Sequence, residues 1–454
     1  MSRKDAMYAN ATPSSVAAST GNRALVLHER ASRWVPAGTH SNSRVRNPHV
    51  FYAARAEGAY VWDVDGRRWL DCTMGNGSVM LGHQHPKVAE AVRGALANGV
   101  TTGHETEDAV AAVELLAELV PDCGMVRFAN TGTEAVMHAI AIARHATGRT
   151  KIAKVEASYH GWADPVWVST WPSPDLFGTP DRPTPVPGSA GLGPDAGETL
   201  VLPFNDPDAA ERLIDAHADE LAAVIVEPAL IDIGYVPAST DYLHRLRQAT
   251  QRSGALLVFD ELLTGFRLAR GGAREAYGVR ADLSTFGKAM ANGWPVAAVE
   301  GRADLLAHTD PQRGGAVGWV GTYNSHAPAM AATRAALQTI RDEAVLDRLD
   351  ALTGRLSRGF GELAAQHGIP AVLAGAGGHF QPYFCSVAPH DYRSALHTDA
   401  DRYAAFSASC RDNGVLVAEK PLLHCALSAA HTEADVDMVL EAAAESFAAM
   451  EEAP

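Results

Sequence analysis

Short, uninterrupted apolar runs most narrow what this chain can fold into: residues 125–129 (MVRFA), 151–155 (KIAKV), 222–226 (AAVIV), 255–259 (ALLVF) and 296–300 (VAAVE). Each is rich in Val, Ile or aromatic residues and lacks strict polar alternation, as expected of strands covered on both faces. From about residue 90, helical patterns, including residues 88–97 and 108–120, separate most of these runs. Strands alternating with helices specify an α/β fold with a mainly parallel central sheet and helices on both faces. Right-handed crossovers then gather loops at the carboxyl ends of the strands, where such sheets bind ligands.

At 454 residues the chain is too long for one simple core. Residues 1–22 read as a loose arm. Residues 58–71 (GAYVWDVDGRRWLD) read as a hairpin turning at Asp65-Gly66. Beyond about residue 330 the pattern is helical at 330–341 and 346–367, and a last helix covers 433–451. The expected organisation is an arm and part of a small domain over 1–80, a large domain over 81–330, and a C-terminal small α+β domain over 331–454. Residues 171–197 carry too much Pro and Gly for regular structure, and read as a lid over a site or as a passive excursion.

A formal net charge of −15 argues against a general nucleic-acid binder, because phosphate neutralisation needs a basic surface. The five cysteines, at 72, 123, 385, 410 and 425, form no CxxC pair, so neither a disulfide framework nor a zinc site is expected. No apolar signal core or membrane-length stretch is present, and a cytoplasmic protein without a membrane is expected. The histidines of GHQHP (82–86) have no further Cys or His cluster beside them, and no metal is expected.

The residues that carry chemistry fall after the apolar runs. Asp260 closes one, which places a carboxylate at the ligand-binding edge of the sheet, and Lys288 follows in a context of small and apolar residues (STFGKAMANG). Taken alone, Asp260 also reads as a helix N-cap and Lys288 as a surface lysine. After residues 125–129, Asn130-Thr131-Gly132-Thr133 lead into a helix with Glu134 in its first turn. This is either a phosphate-binding helix terminus or an ordinary start capped by Thr133. After residues 151–155 come Tyr159-His160-Gly161-Trp162, where an aromatic could stack on a flat ring.

Together these segments closely resemble class III (fold-type I) pyridoxal-phosphate aminotransferases, and within them the glutamate-1-semialdehyde aminomutase-like branch. The match runs through Asp260-Glu261, 264–267 (TGFR), 271–273 (GGA), 277–279 (YGV), 281–283 (ADL) and 287–288 (GK). The resemblance implies that pyridoxal 5'-phosphate is held as a Schiff base on Lys288, with Asp260 on its ring nitrogen. It further implies a phosphate cup at Thr131, Gly132 and Thr133, Tyr159 over the ring with His160 beside it, and Glu227 near the cofactor. Thr322 would reach the phosphate of a partner subunit, which implies a homodimer, and Arg44, with Arg46 as a near alternative, would grip a substrate carboxylate. Asp232 stands where the family places an amide near the phenolic oxygen. Residues 419–423 (EKPLL), 325–327 (SHA) and 171–197 also depart from the true aminomutase. The expected activity is amino transfer between a carboxylate-bearing amine and a keto or aldehyde acceptor. Alternatives are an intramolecular aminomutase, a decarboxylase or racemase on the same scaffold, and a non-catalytic cofactor-binding protein.

Overall fold

The computed structural model describes residues 22–46 and 50–452. The arm read at 1–22 lies outside the described residues except for Asn22, which begins the helix Asn22–Ser32. The centre is a seven-stranded sheet of β1 (Met125–Ala129), β2 (Lys151–Val155), β3 (Leu200–Leu202), β4 (Leu221–Val226), β5 (Leu256–Glu261), β6 (Leu283–Gly287) and β7 (Ala297–Gly301). Their spatial order is β1-β7-β6-β5-β4-β2-β3. All neighbours from β6 to β3 pair parallel, whereas β7 runs antiparallel to both β6 and β1. Every residue of β4, β5, β6 and β7 is buried, which explains why most of these strands read as continuous apolar runs.

Both ends of the chain build the smaller part of the molecule. The expected hairpin forms from Tyr60–Asp63 and Arg68–Asp71, with Gly66 in its turn at φ +90°. Val415–Leu416 then adds to Arg68–Asp71 in parallel, with Val415 opposite Leu70. A three-stranded antiparallel sheet of Val372–Ala376, His379–Tyr383 and Cys425–Ala426 packs against the helix Val345–Gln366, which in turn packs on the helix Glu433–Glu452. Arg267 ties the two ends to the large sheet: it is 2% exposed and donates to the carbonyls of Gly77 and Gly377, each at 2.7 Å. The stretch 171–197 is less irregular than its Pro and Gly content suggests. It holds a two-stranded ladder, Gly178–Thr179 with Arg182–Pro183, and the short helix Asp195–Glu198. No helix among the described residues is long and apolar enough to cross a membrane.

Candidate active site

Five parallel strands deliver their carboxyl ends to one cavity of about 360 Å³. β1 leads to Asn130–Thr133, β2 to Tyr159, β4 to Glu227, β5 ends on Asp260-Glu261, and β6 leads to Lys288. Thr131, Gly132, Thr133, Tyr159, Glu227, Asp260 and Lys288 all line the cavity. These side chains are far apart in sequence, and the parallel topology alone brings them together.

Lys288 is not a surface lysine. It follows β6 with φ +46°, a strained conformation for a residue with a side chain. Its side chain is enclosed by protein and opens only onto the cavity. Burial pushes its amine below the ordinary lysine range, while the nearby charges of Asp232 and Asp260 pull the other way. Asp260 is not a helix cap either, since it lies inside β5. It is 3% exposed and accepts from His160 Nδ1 at 2.7 Å, from Thr285 Oγ1 at 3.0 Å and from the Leu262 N–H at 3.1 Å. Thr285 reaches it because the parallel register sets the two residues side by side. His160 is fully buried behind Asp260, and burial lowers its pKa even against that carboxylate.

The helix α1 (Gly132–Thr147) is capped by Thr131, not by Thr133. Thr131 Oγ1 accepts the Glu134 N–H at 3.2 Å, and the Thr131 carbonyl accepts that of Ala135 at 3.1 Å. This leaves the N–H groups of Gly132 and Thr133 without a partner among the described residues, on the cavity wall and at the positive end of the helix dipole. A Cβ on Gly132 would run into the Leu262 side chain, which would have to move to admit it. Gly161, at φ +83°, lies so close to Thr133 that a side chain would strike it.

The Tyr159 ring stacks on Trp171 at 6.0 Å with an interplanar angle of 16°, and meets Trp167 edge-on at 5.9 Å. Burial, with the charges of Asp232 and Asp260, pushes its hydroxyl up to about 12. The loop that presents Tyr159 is held by Lys154, whose ammonium is wholly buried under it. Lys154 Nζ donates to the carbonyls of Ser158 (2.7 Å), Val166 (3.1 Å) and Val168 (2.6 Å), and to Thr170 Oγ1 at 3.2 Å. Burial pushes this amine down to about 7, and the four oxygen acceptors offset that cost. Lys154→Met strands three buried carbonyls and is expected to destabilise the fold by about 3 kcal/mol. Denaturant unfolding measures the loss, and a variant within about 0.5 kcal/mol of wild type would show that the clamp contributes nothing.

Glu227 accepts the Tyr159 N–H at 2.8 Å, and burial together with the charges of Asp232 and Asp260 raises its pKa well above the usual carboxyl range. Asp232 stands in the turn after Leu230, outside the cavity lining, and faces His424. Arg44 is exposed on the turn Asn42–Arg44 and Thr322 is exposed on the loop before Ala327; neither lines the cavity of this chain. Arg46 is engaged with Glu419 at 3.1 Å. Glu261, although part of the matched motif, points away: its carboxylate accepts the Ala273 N–H at 2.6 Å. A Cβ on Gly272 would strike that carboxylate, which accounts for the Gly-Gly-Ala stretch. Trp167, Trp171, Lys154, His379 and His424 carry no motif signal, and their roles come from contacts made across the chain. His83, from the GHQHP segment, binds Asp71 Oδ2 at 2.9 Å.

An amine, a carboxylate, an aromatic wall and an anion-binding helix terminus around one cavity fit pyridoxal phosphate. The donors suit its aldehyde, ring nitrogen, ring face and phosphate in turn. Residues 41–420 match the Aminotransferase class-III family. Over 437 residues the chain is 36% identical to a glutamate-1-semialdehyde 2,1-aminomutase of Syntrophobacter fumaroxidans, covering 95% of this chain and 99% of that one. An omega-transaminase structure from Sphaerobacter thermophilus shares 36% identity and a TM-score of 0.88, covering 95% of this chain and 98% of its own. A transaminase structure with PLP bound is 29% identical, with a TM-score of 0.86 and coverage of 95% and 98%. With its fold-type I sheet and its cavity suited to the cofactor, the chain belongs to the class-III aminotransferases and is a pyridoxal-phosphate-dependent enzyme.

Proposed function

We propose that the enzyme moves an amino group from a carboxylate-bearing amine to a separate keto or aldehyde acceptor, with Lys288 as the cofactor-bearing and proton-carrying residue. The observation that carries this reading is the Lys288 amine. It has no hydrogen-bond partner among the described residues and opens onto the same cavity as Asp260 and the α1 terminus. When bound, pyridoxal phosphate supplies an aldehyde that captures amines and a ring that takes up the electron pair released at the substrate carbon. Gly132 and Thr133 N–H groups, with the Thr131 and Thr133 hydroxyls, hold its phosphate. Tyr159 covers one ring face and is kept upright by Trp171. Asp260, fixed by His160 and Thr285, keeps a proton on the ring nitrogen. With pyridoxal phosphate bound, Lys288 Nζ would hold and move the proton at the substrate carbon, which requires an uncharged amine; burial favours that form.

Arg44 is the better candidate for the substrate carboxylate, because Arg46 is already paired with Glu419 and the Arg44 guanidinium has no partner among the described residues. A guanidinium presents two parallel donors to a carboxylate. A homodimer is supported by the exposed Thr322, which sits between Val320 (93% exposed) and Tyr323 (60% exposed) on a loop suited to a second copy.

The test is to mix the holoenzyme with α-, β- and ω-amino acids in the absence of any acceptor. Loss of the visible cofactor absorbance, with release of a carbonyl product in proportion to enzyme, is expected. An isomerised product that keeps its amine would establish an aminomutase instead, and release of carbon dioxide would establish a decarboxylase.

A further inference from the structure

The connection after β2, residues 156–171, carries three aromatic rings of the site: Tyr159, Trp167 and Trp171. They meet pairwise at centroid distances of 5.9 to 6.0 Å, with Trp167 edge-on to both of the others. Three residues of this connection that bear a Cβ take positive φ: Ala157 at +64°, Ser169 at +47° and Trp171 at +93°. Such conformations are unfavourable for residues with side chains, and they persist only where surrounding bonds impose them.

The bonds that impose them centre on Lys154. The connection closes on itself where the Ala157 N–H donates to the Ser169 carbonyl at 2.7 Å, and Lys154 Nζ bonds to both of its arms. Each acceptor lies next to a ring or a strained residue. The Ser158 carbonyl belongs to the peptide that enters Tyr159, and the Val166 carbonyl to the peptide that enters Trp167. The Val168 carbonyl belongs to the peptide that enters Ser169, and Thr170 Oγ1 directly precedes Trp171.

The Ser158–Tyr159 peptide is gripped from both edges. Lys154 Nζ donates to its oxygen at 2.7 Å, and Glu227 Oε1 accepts its N–H at 2.8 Å. Both side chains are buried, and Glu227 also lines the cavity. Hydrogen bonds to ionisable groups are the strong ones, so the peptide plane from which the Tyr159 side chain projects is fixed. Trp171 is tied from another side, since its Nε1 donates to the Asp232 carbonyl at 2.9 Å. None of these bonds reaches the cavity floor at Asp260 or Lys288, so the clamp acts on the aromatic wall alone.

We propose that Lys154 is a positioning residue for the cofactor cavity: with Glu227, through the Ser158–Tyr159 peptide, it sets where the Tyr159 ring stands. This rests on the reading of Tyr159 as the residue that covers the cofactor ring. Without the ammonium the strained residues relax, and the wall leaves the place that the cofactor requires. A displacement of about 1 Å at a site can cost on the order of 100-fold in function.

The experiment measures how fast the holoenzyme releases pyridoxal 5'-phosphate after dilution, in a cycle of Lys154→Met with Tyr159→Leu. Lys154→Met is expected to speed release by about tenfold and to weaken the circular dichroism of the visible band; Tyr159→Leu should do the same. The double variant should release the cofactor no faster than Tyr159→Leu alone, because Lys154 acts through that ring. A lysine that only supports the fold would give effects that multiply. If Lys154→Met does not yield folded protein, Thr170→Val takes its place in the cycle. It removes a single acceptor, and release about threefold faster is expected. Wild-type release from the Lys154 or Thr170 variant overturns the proposal, and so do effects that multiply in the double variant. Wild-type release and an unchanged visible band in Tyr159→Leu would instead remove the Tyr159 reading, and the role given to Lys154 would fall with it.

Discussion

Lys288→Ala is expected to lose turnover by at least about 10⁴-fold, since on the proposed reading it removes the amine that carries the proton at the substrate carbon as well as the covalent hold on the cofactor. Two features of the site make this a clean experiment. The backbone at this position has φ +46°, and alanine bears that strain much as lysine does, so the fold does not depend on the side chain length. The amine is also a cost to the fold rather than a support, because burial opposes its charge and it makes no hydrogen bond among the described residues. Thermal unfolding of the variant should therefore stay close to wild type while activity and the visible absorbance of the lysine-bound cofactor disappear. A purified variant that keeps both would remove Lys288 from the chemistry.

The second large effect is expected at Asp260. Asp260→Asn keeps the shape of the side chain and removes its charge, so the cofactor's ring nitrogen would lose the carboxylate proposed to keep it protonated. A loss on the order of 10³-fold in the amine half-reaction is expected, comparable to removal of a preorganised electrostatic partner in other sites. Cofactor retention should change little, because the phosphate grip at α1 and the Tyr159 wall are independent of Asp260. The His160 ring, held at 2.7 Å from Asp260 and buried on all sides, cannot take over the role: burial favours its neutral form. Single-turnover bleaching with a good amino donor measures the effect. A rate within tenfold of wild type would mean that Asp260 orients the loop after β5 and does no electrostatic work on the ring.

The strands differ in how well they could be read. β1 and β2 fall on their apolar runs residue for residue: β1, at the sheet edge, is buried only at Phe128 and Ala129, whereas β2 is buried from Ile152 to Val155. β6 is equally buried yet did not stand out as an apolar run, since Ser284 and Thr285 interrupt it. Those hydroxyls are tolerated inside because they have work there: Thr285 donates to Asp260 across the parallel register. β7 read correctly as a strand, but its antiparallel direction had no trace in an apolar run that looks the same from either end. The hairpin within 171–197 was hidden by Pro and Gly, since strands of two residues have no periodicity to show.

The site divides along the same line. Asp260, Lys288, the turn into α1 and Tyr159 each follow a strand directly, so an apolar run and its next few residues are enough to place them at one edge. His160 meets Asp260 across 100 residues of chain, and Lys154 turns back from β2 to close its own following loop. Arg46 is spent on Glu419, and His424 comes from the far sheet to face Asp232. By itself the sequence determined the α/β class and the cofactor, and it pointed to the residues proposed to touch it, because those depend on local strand–loop order and on motifs whose chemistry is carried by neighbouring residues. Only the tertiary structure decided which acids around Lys288 have a cationic or hydrogen-bonding partner, and hence which of them hold charge. That depends on burial and on contacts between distant segments, and neither is encoded in any local pattern.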